Sequence, residues 1–236
     1  DYIEEWRNDD RKKIKIKDLL EMTSWLRNSN SLLNPTSDLA KLHLGFDVSD
    51  FALSIPAEKR AGRKFDYNNF NSQVLGILLS RATGKKYSEY LSEKILKPLG
   101  VDDVNLWLDH ENGTPRTYCC LFAKTKDWAK FGLLVLHKGF YNGKQIVPQE
   151  WINKMIFPSK NRPAYGYHIW LAKSKSYKKS RIGEPFLNEN TIFFDGRSKQ
   201  RVYIIPEKNI VVVRIGESSD SWTEDIIPNI IERDLK

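Results

Sequence analysis

Tyr67 and Asn69 stand two residues apart in Phe65-Asp66-Tyr67-Asn68-Asn69. A phenol and an amide held at the mouth of a buried helix suit proton transfer and substrate positioning. The same pair has a plainer alternative, a tyrosine covering a core and an asparagine capping a helix. Cys119 and Cys120, the two cysteines, are neighbours in the chain. A bridge between adjacent cysteines strains the intervening peptide, so they are expected to be small buried apolar residues without a disulfide. Two cysteines make no zinc framework. The four histidines, His43, His110, His137 and His168, lack ligand spacing. No metal and no cofactor is expected from these residues.

The element that must position Tyr67 and Asn69 is the apolar run behind them. Val74 to Ala82 is too rich in apolar residues for a surface helix, and Thr83-Gly84 is a stop signal. Upstream, Leu19, Leu20, Met22 and Leu26 predict a short amphipathic helix over 17–26. Residues 27–50 are polar, with Asn and Ser clusters and Pro35, and read as a loop or lid with one short turn. Downstream, Ser88 is expected to cap a helix from Glu89 to Leu96, and residues 101–118 read as loop. Thr125 is expected to cap a regular helix to His137, and Pro148 to open another through Met155. The period then changes. Tyr165 to Leu171, Asn190 to Phe194, Gln200 to Ile205 and Asn209 to Ile215 read as strands, and residues 222–235 as an amphipathic helix. The fold class expected is α+β, a mainly helical region over 16–160 followed by antiparallel strands and a C-terminal helix over 161–236.

The 236 residues are 40% hydrophobic, enough for a sizeable core. The formal charge is +8, and much of the excess is local, in Arg11 to Lys17 and Lys173 to Arg181. Such runs can bind nucleic acid. Here no nucleic-acid module accompanies them, and they read as solvated faces, so no nucleic-acid partner is expected. No window reaches the length of a membrane span. The start at Asp1 carries no apolar signal core and reads as the middle of an element.

Several stretches, taken in order, resemble the serine β-lactamase and penicillin-binding-protein-like hydrolases. The branch resembled holds class C β-lactamases, esterases and aminohexanoate-dimer hydrolases. The stretches are Ile16 to Ser24, Phe65 to Asn69 with Leu75-Gly76 and Thr83-Gly84, Pro98-Leu99-Gly100, Lys126 to Gly132, Asn142 to Pro148, Tyr165-Gly166-Tyr167, and Gly196 to Val213. The resemblance covers nearly the whole chain and corresponds to the family's C-terminal two-thirds. It implies a β-lactamase/transpeptidase-like fold and a serine hydrolase acting on a small-molecule or peptide-like ester or amide through an acyl-enzyme. By resemblance, Tyr67 would share a proton with the lysine of a Ser-x-x-Lys motif and pass it to the leaving group. A phenol titrates near about 10 in water, so neighbouring ammonium groups must lower it for this role. Asn69 would hold the substrate's amide or ester side chain. The third motif, a strand segment lining the opposite wall, falls at Arg197-Ser198-Lys199. The backbone N–H near Gln200 would be half of an oxyanion hole.

Two departures shape the expectation. The family's Ser-x-x-Lys lies before the segment that matches Ile16 to Ser24, and the spacing occurs here at Ser176-Tyr177-Lys178-Lys179, in a basic polar loop. The chain is therefore expected to be a fragment whose nucleophile lies upstream and to be inactive by itself, or else a homologue without a nucleophile. Lys199 stands where the family prefers glycine, as does Trp25 after Ser24. These changes leave a catalytically inactive binding protein of the same fold as the alternative. Arg197 and Lys199 suggest an anionic group on the substrate, such as a carboxylate. Export to the periplasm or medium is implied by resemblance alone, and the oligomeric state is left open.

Overall fold

The structure, a computed structural model, describes residues 2–29, 31–178, 181–217, 219 and 221–235. The chain divides into two compact units, one of residues 1–97 and 102–122, the other of residues 98–101 and 123–236.

The first unit is helical. Its helices are α1 (Ile16–Leu20), α2 (Asp38–Leu44), α3 (Val48–Ser54), α4 (Asn69–Thr83) and α5 (Tyr87–Leu91). A π turn (Ser92–Leu96) continues α5, and a short turn α6 (Lys97–Leu99) runs on into residues 98–101, which are counted with the second unit. A strand β1 (Val104–Leu106) pairs with β2 (Leu121–Ala123). The core joins Trp6, Leu19, Leu26, Leu42, Val48, Leu53, Phe70, Val74 and Ile77. Helix α4 is its axis, and Phe70, Val74 and Ile77 share one face at helical spacing. Gly84 ends it in the left-handed region at φ 67°, as the stop signal predicted. Gly76 is needed for a close approach, because a Cβ there would meet Thr117 at 2.6 Å. Beside it, the buried Gln73 donates to the Pro115 carbonyl (3.1 Å) and accepts from the Thr117 N–H (3.0 Å), tying α4 to the 115–117 segment.

Several expectations change here. The helix expected over 17–26 stops at Leu20, because Met22 and Trp25 adopt left-handed backbone angles (φ 57° and 59°) that no helix tolerates. The loop expected over 27–50 holds α2 and the start of α3. Ser37 caps α2 by accepting from the Ala40 N–H (3.1 Å), and Leu39, Leu42, Val48, Ala52 and Leu53 bury the faces of these helices. Ser88 caps nothing, since α5 already begins at Tyr87.

The second unit carries an antiparallel four-stranded sheet in the order β5-β6-β7-β8: β5 (Trp170–Leu171), β6 (Ile192–Gly196), β7 (Gln200–Ile205) and β8 (Ile210–Arg214). Helix α7 (Thr125–Leu136) packs on β7 and β8. It begins after Lys124, not with Thr125 as its cap. The short hairpin of β3 (Phe140–Tyr141) and β4 (Lys144–Gln145) turns at Asn142-Gly143, both left-handed (φ 45° and 76°). Helix α8 (Gln149–Met155) follows Pro148. Helix α9 (Ile226–Asp234) ends the unit. The core is built from Val135, Ile152, Ile169, Leu171, Ile192, Val202 and Ile204. The strand expected over 165–171 shrinks to two residues. His168 is left-handed (φ 53°) and the Gly166 N–H donates to the Ile169 carbonyl (2.9 Å), which makes a tight turn. The α+β class with an antiparallel sheet is as the sequence predicts.

Candidate functional site

Tyr67 and Asn69 sit at the entry of α4. The Tyr67 side chain is 39% exposed. The loop that carries it is tied to the 22–28 segment. The Asp66 N–H donates to the Met22 carbonyl (2.7 Å), and the Asn28 amide donates to the Asp66 carboxylate (3.0 Å) and the Tyr67 carbonyl (2.9 Å). The Gly62 N–H donates to Thr23 and the Glu58 N–H to Trp25 (both 2.9 Å). Below them the buried Ser24 hydroxyl donates to the Asn71 side chain. The segment from Ile16 to Ser24 thus frames the Tyr67 loop. Trp25 adopts φ 59°, a region that favours glycine, which is the physical meaning of the glycine that the resemblance leads one to expect there.

The capping role falls on Asn68. Its side chain accepts from the Phe70 N–H (2.9 Å) and donates to the Leu26 carbonyl (2.8 Å). Asn69 is the first helical residue, half-buried, and its amide makes no hydrogen bond among the described residues.

In the second unit, Arg197, Ser198 and Lys199 form a 3-10 turn between β6 and β7, where a strand segment was expected. Ser198 and Lys199 are both left-handed (φ 58° and 59°), which is the local reason that the strand cannot run through them. Arg197, Ser198 and Gln200 are exposed. The Lys199 ammonium donates to the carbonyls of Ser219 (2.5 Å) and Trp222 (2.9 Å). The Gln200 N–H, expected to face an oxyanion, donates to the Arg197 carbonyl and closes the turn. Ser176 ends a 3-10 turn (Ser174–Ser176) with no helix directly behind it, and Lys179 lies outside the described residues.

A cluster that spacing does not reveal lies elsewhere in the first unit. Cys119 and Cys120 form a disulfide, contrary to expectation, with Cys120 left-handed at φ 67°. Both are half-buried. A ring nitrogen of His43 and the two sulfurs lie within 4.8 Å of one another. His43 is 76 residues from Cys119 in sequence, so no local motif could have signalled it.

A model of the family described as Beta-lactamase matches residues 1–225. The chain belongs to the Beta-lactamase family. An uncharacterised protein of Alkalihalophilus pseudofirmus is 25% identical over 190 residues, 70% of this chain and 55% of that protein. Among solved structures, a Bacillus anthracis protein described as a 6-aminohexanoate-dimer hydrolase covers all of this Beta-lactamase-family chain and 66% of its own, at 21% identity and a TM-score of 0.77. EstCE1, a hydrolase with promiscuous acyltransferase activity, covers 91% of this chain and 70% of its own, at 13% identity and a TM-score of 0.66. These likenesses show the β-lactamase/transpeptidase-like fold. The chain spans about half the length of the Alkalihalophilus pseudofirmus relative and about two thirds of the Bacillus anthracis chain.

Proposed function

We propose that the chain supplies the phenol and amide of a serine acyl-hydrolase site acting on an ester or amide. One observation carries this reading. Tyr67 is exposed on a loop fixed by hydrogen bonds, two residues from an Asn69 amide that makes no hydrogen bond among the described residues. A phenol carried on a held loop stays close to one place, and an uncommitted amide is a ready partner for a substrate's polar side chain. The nucleophile in this reading is the serine of a Ser-x-x-Lys motif, as the family resemblance implies. It attacks the carbonyl carbon. Tyr67, sharing a proton with the lysine, accepts the serine proton and delivers it to the leaving nitrogen or oxygen. Water then releases the acyl group by the same route. Within the second unit, Lys199 is assigned to holding the β6–β7 turn.

The test is the intact mass of the protein from its native source before and after incubation with a fluorophosphonate probe. One adduct is expected, and Tyr67→Phe in the same protein is expected to slow acylation by about 100-fold or more with unchanged melting. Unchanged turnover sinks the assignment. A second reading, a non-catalytic binding protein of this fold, is favoured by the Lys199 ammonium being held by two carbonyls and by the Gln200 N–H closing its own turn. It predicts no adduct at all.

A further inference from the structure

We propose that the Cys119–Cys120 disulfide, His43 and their surroundings are a redox-gated metal site: once the disulfide is reduced, the two thiolates and the imidazole hold one divalent thiophilic cation of the zinc class. The three donors converge within 4.8 Å from two separate segments. A tetrahedral ion with sulfur and nitrogen ligands needs donors about 3.5–3.8 Å apart. The sulfurs reach that separation by side-chain rotation once the bond between them is cut.

The frame around the donors is built. Arg116 is buried and donates to the His43 carbonyl (3.1 Å) and the Gly45 carbonyl (2.9 Å), fixing the end of α2 against the 116–120 turn. The Cys119 N–H donates to the Arg116 carbonyl (3.2 Å), and the Trp107 N–H to the Cys120 carbonyl (3.1 Å). The His43 ring meets Trp107 edge to face, with centroids 5.0 Å apart, and its Nδ1 lies 3.2 Å from the Tyr118 hydroxyl. The Tyr118 hydroxyl also lies 3.4 Å from the Leu42 carbonyl, which ties it to the end of α2.

The chemistry balances with a dithiol reductant. Its two electrons and two protons convert the disulfide to two thiols, and it leaves as its own cyclic disulfide. Binding of the cation then releases the two thiol protons. Three protein ligands leave a fourth position for water, the pattern of a site that is open rather than sealed. Because the three residues are half-buried, a cation can enter and a reductant can reach the sulfurs.

The experiment is a Co2+ titration of the 236-residue protein, reduced with dithiothreitol and desalted without oxygen. One equivalent should bind with a thiolate-to-cobalt charge-transfer band. Zn2+ should displace it, and the air-oxidised protein should show no band. His43→Ala should weaken binding at least tenfold, and Cys119→Ser or Cys120→Ser should abolish the band while far-UV circular dichroism stays unchanged. His43→Gln is the second variant if His43→Ala fails to fold. A reduced, folded protein with no band, a band that persists after oxidation, or a band indifferent to His43 would each overturn the site.

Discussion

Residue identity divides the roles at the α4 entry, where three asparagine or tyrosine side chains crowd into Tyr67-Asn68-Asn69. Asn68 caps the helix and satisfies the Leu26 carbonyl, while the Asn69 amide makes no hydrogen bond among the described residues. Replacing Asn68 by Ala should therefore lower the unfolding free energy by about 1–2 kcal/mol, and Asn69→Ala should change it by about 0.5 kcal/mol or less. Urea denaturation of the two variants checks the division. The motif was legible in sequence, but which asparagine caps was not, because capping depends on the one residue whose backbone is still extended (Asn68, φ −140°, ψ 120°). Glu5 offers a pH prediction. Its hydrogen bonds from Arg81 (2.7 and 2.8 Å) hold the carboxyl at about 2, below its ordinary 4.5. A depressed carboxylate stabilises above its unfolded value and stops doing so as pH falls through the folded one. The advantage of the native protein over Glu5→Gln should be full at pH 6 and shrink between pH 4.5 and about 2. Because both side chains are more than a third exposed, that advantage is small, about 0.2–1 kcal/mol, and weakens with salt.

At the scale of elements, period was a good guide where one face is buried and a poor one where polar residues sit on the other side. Helices α4 and α7 and strands β7 and β8 lie where their apolar patterns place them. Helices α2 and α3 were missed because each is seven residues long and surrounded by Asn, Ser and Asp. The residues 165–169 alternate like a strand but make a turn, since a left-handed His168 cannot extend. Packing of α7 on its sheet rests on Gly132. A Cβ there would meet Val211 at 2.6 Å and Val202 at 2.8 Å. Gly132→Leu should destabilise by about 1–3 kcal/mol through overpacking, which outweighs the gain of roughly 1 kcal/mol in helix propensity. Thermal denaturation reads the difference.

At the scale of the molecule, each unit has its own apolar core and buries some charge, and in the second the buried charges form a connected network. Arg201 pairs with Glu224 through two 2.6 Å hydrogen bonds and with Asp195 at 2.7 Å, and Arg181 pairs with Asp195 from the other side. Burial pushes the Asp195 carboxyl up against the pull of the two guanidiniums. For Arg201, burial favours the neutral form, but the hydrogen bonds it donates to Glu224 and the charges beside it raise its value overall. Arg201→Ala leaves two carboxylates without their main partner and should cost about 3–5 kcal/mol, measured by chemical denaturation at neutral pH. The sequence by itself determined the family resemblance, the α+β class, the axis helix and the strongest strands, because these follow from ordered local motifs and apolar periodicity. It did not determine the Arg197 to Lys199 turn, the Cys119–Cys120 bond, or the meeting of His43 with those sulfurs. Those depend on left-handed backbone angles and on contacts between residues far apart in the chain, and only the folded chain brings such groups together.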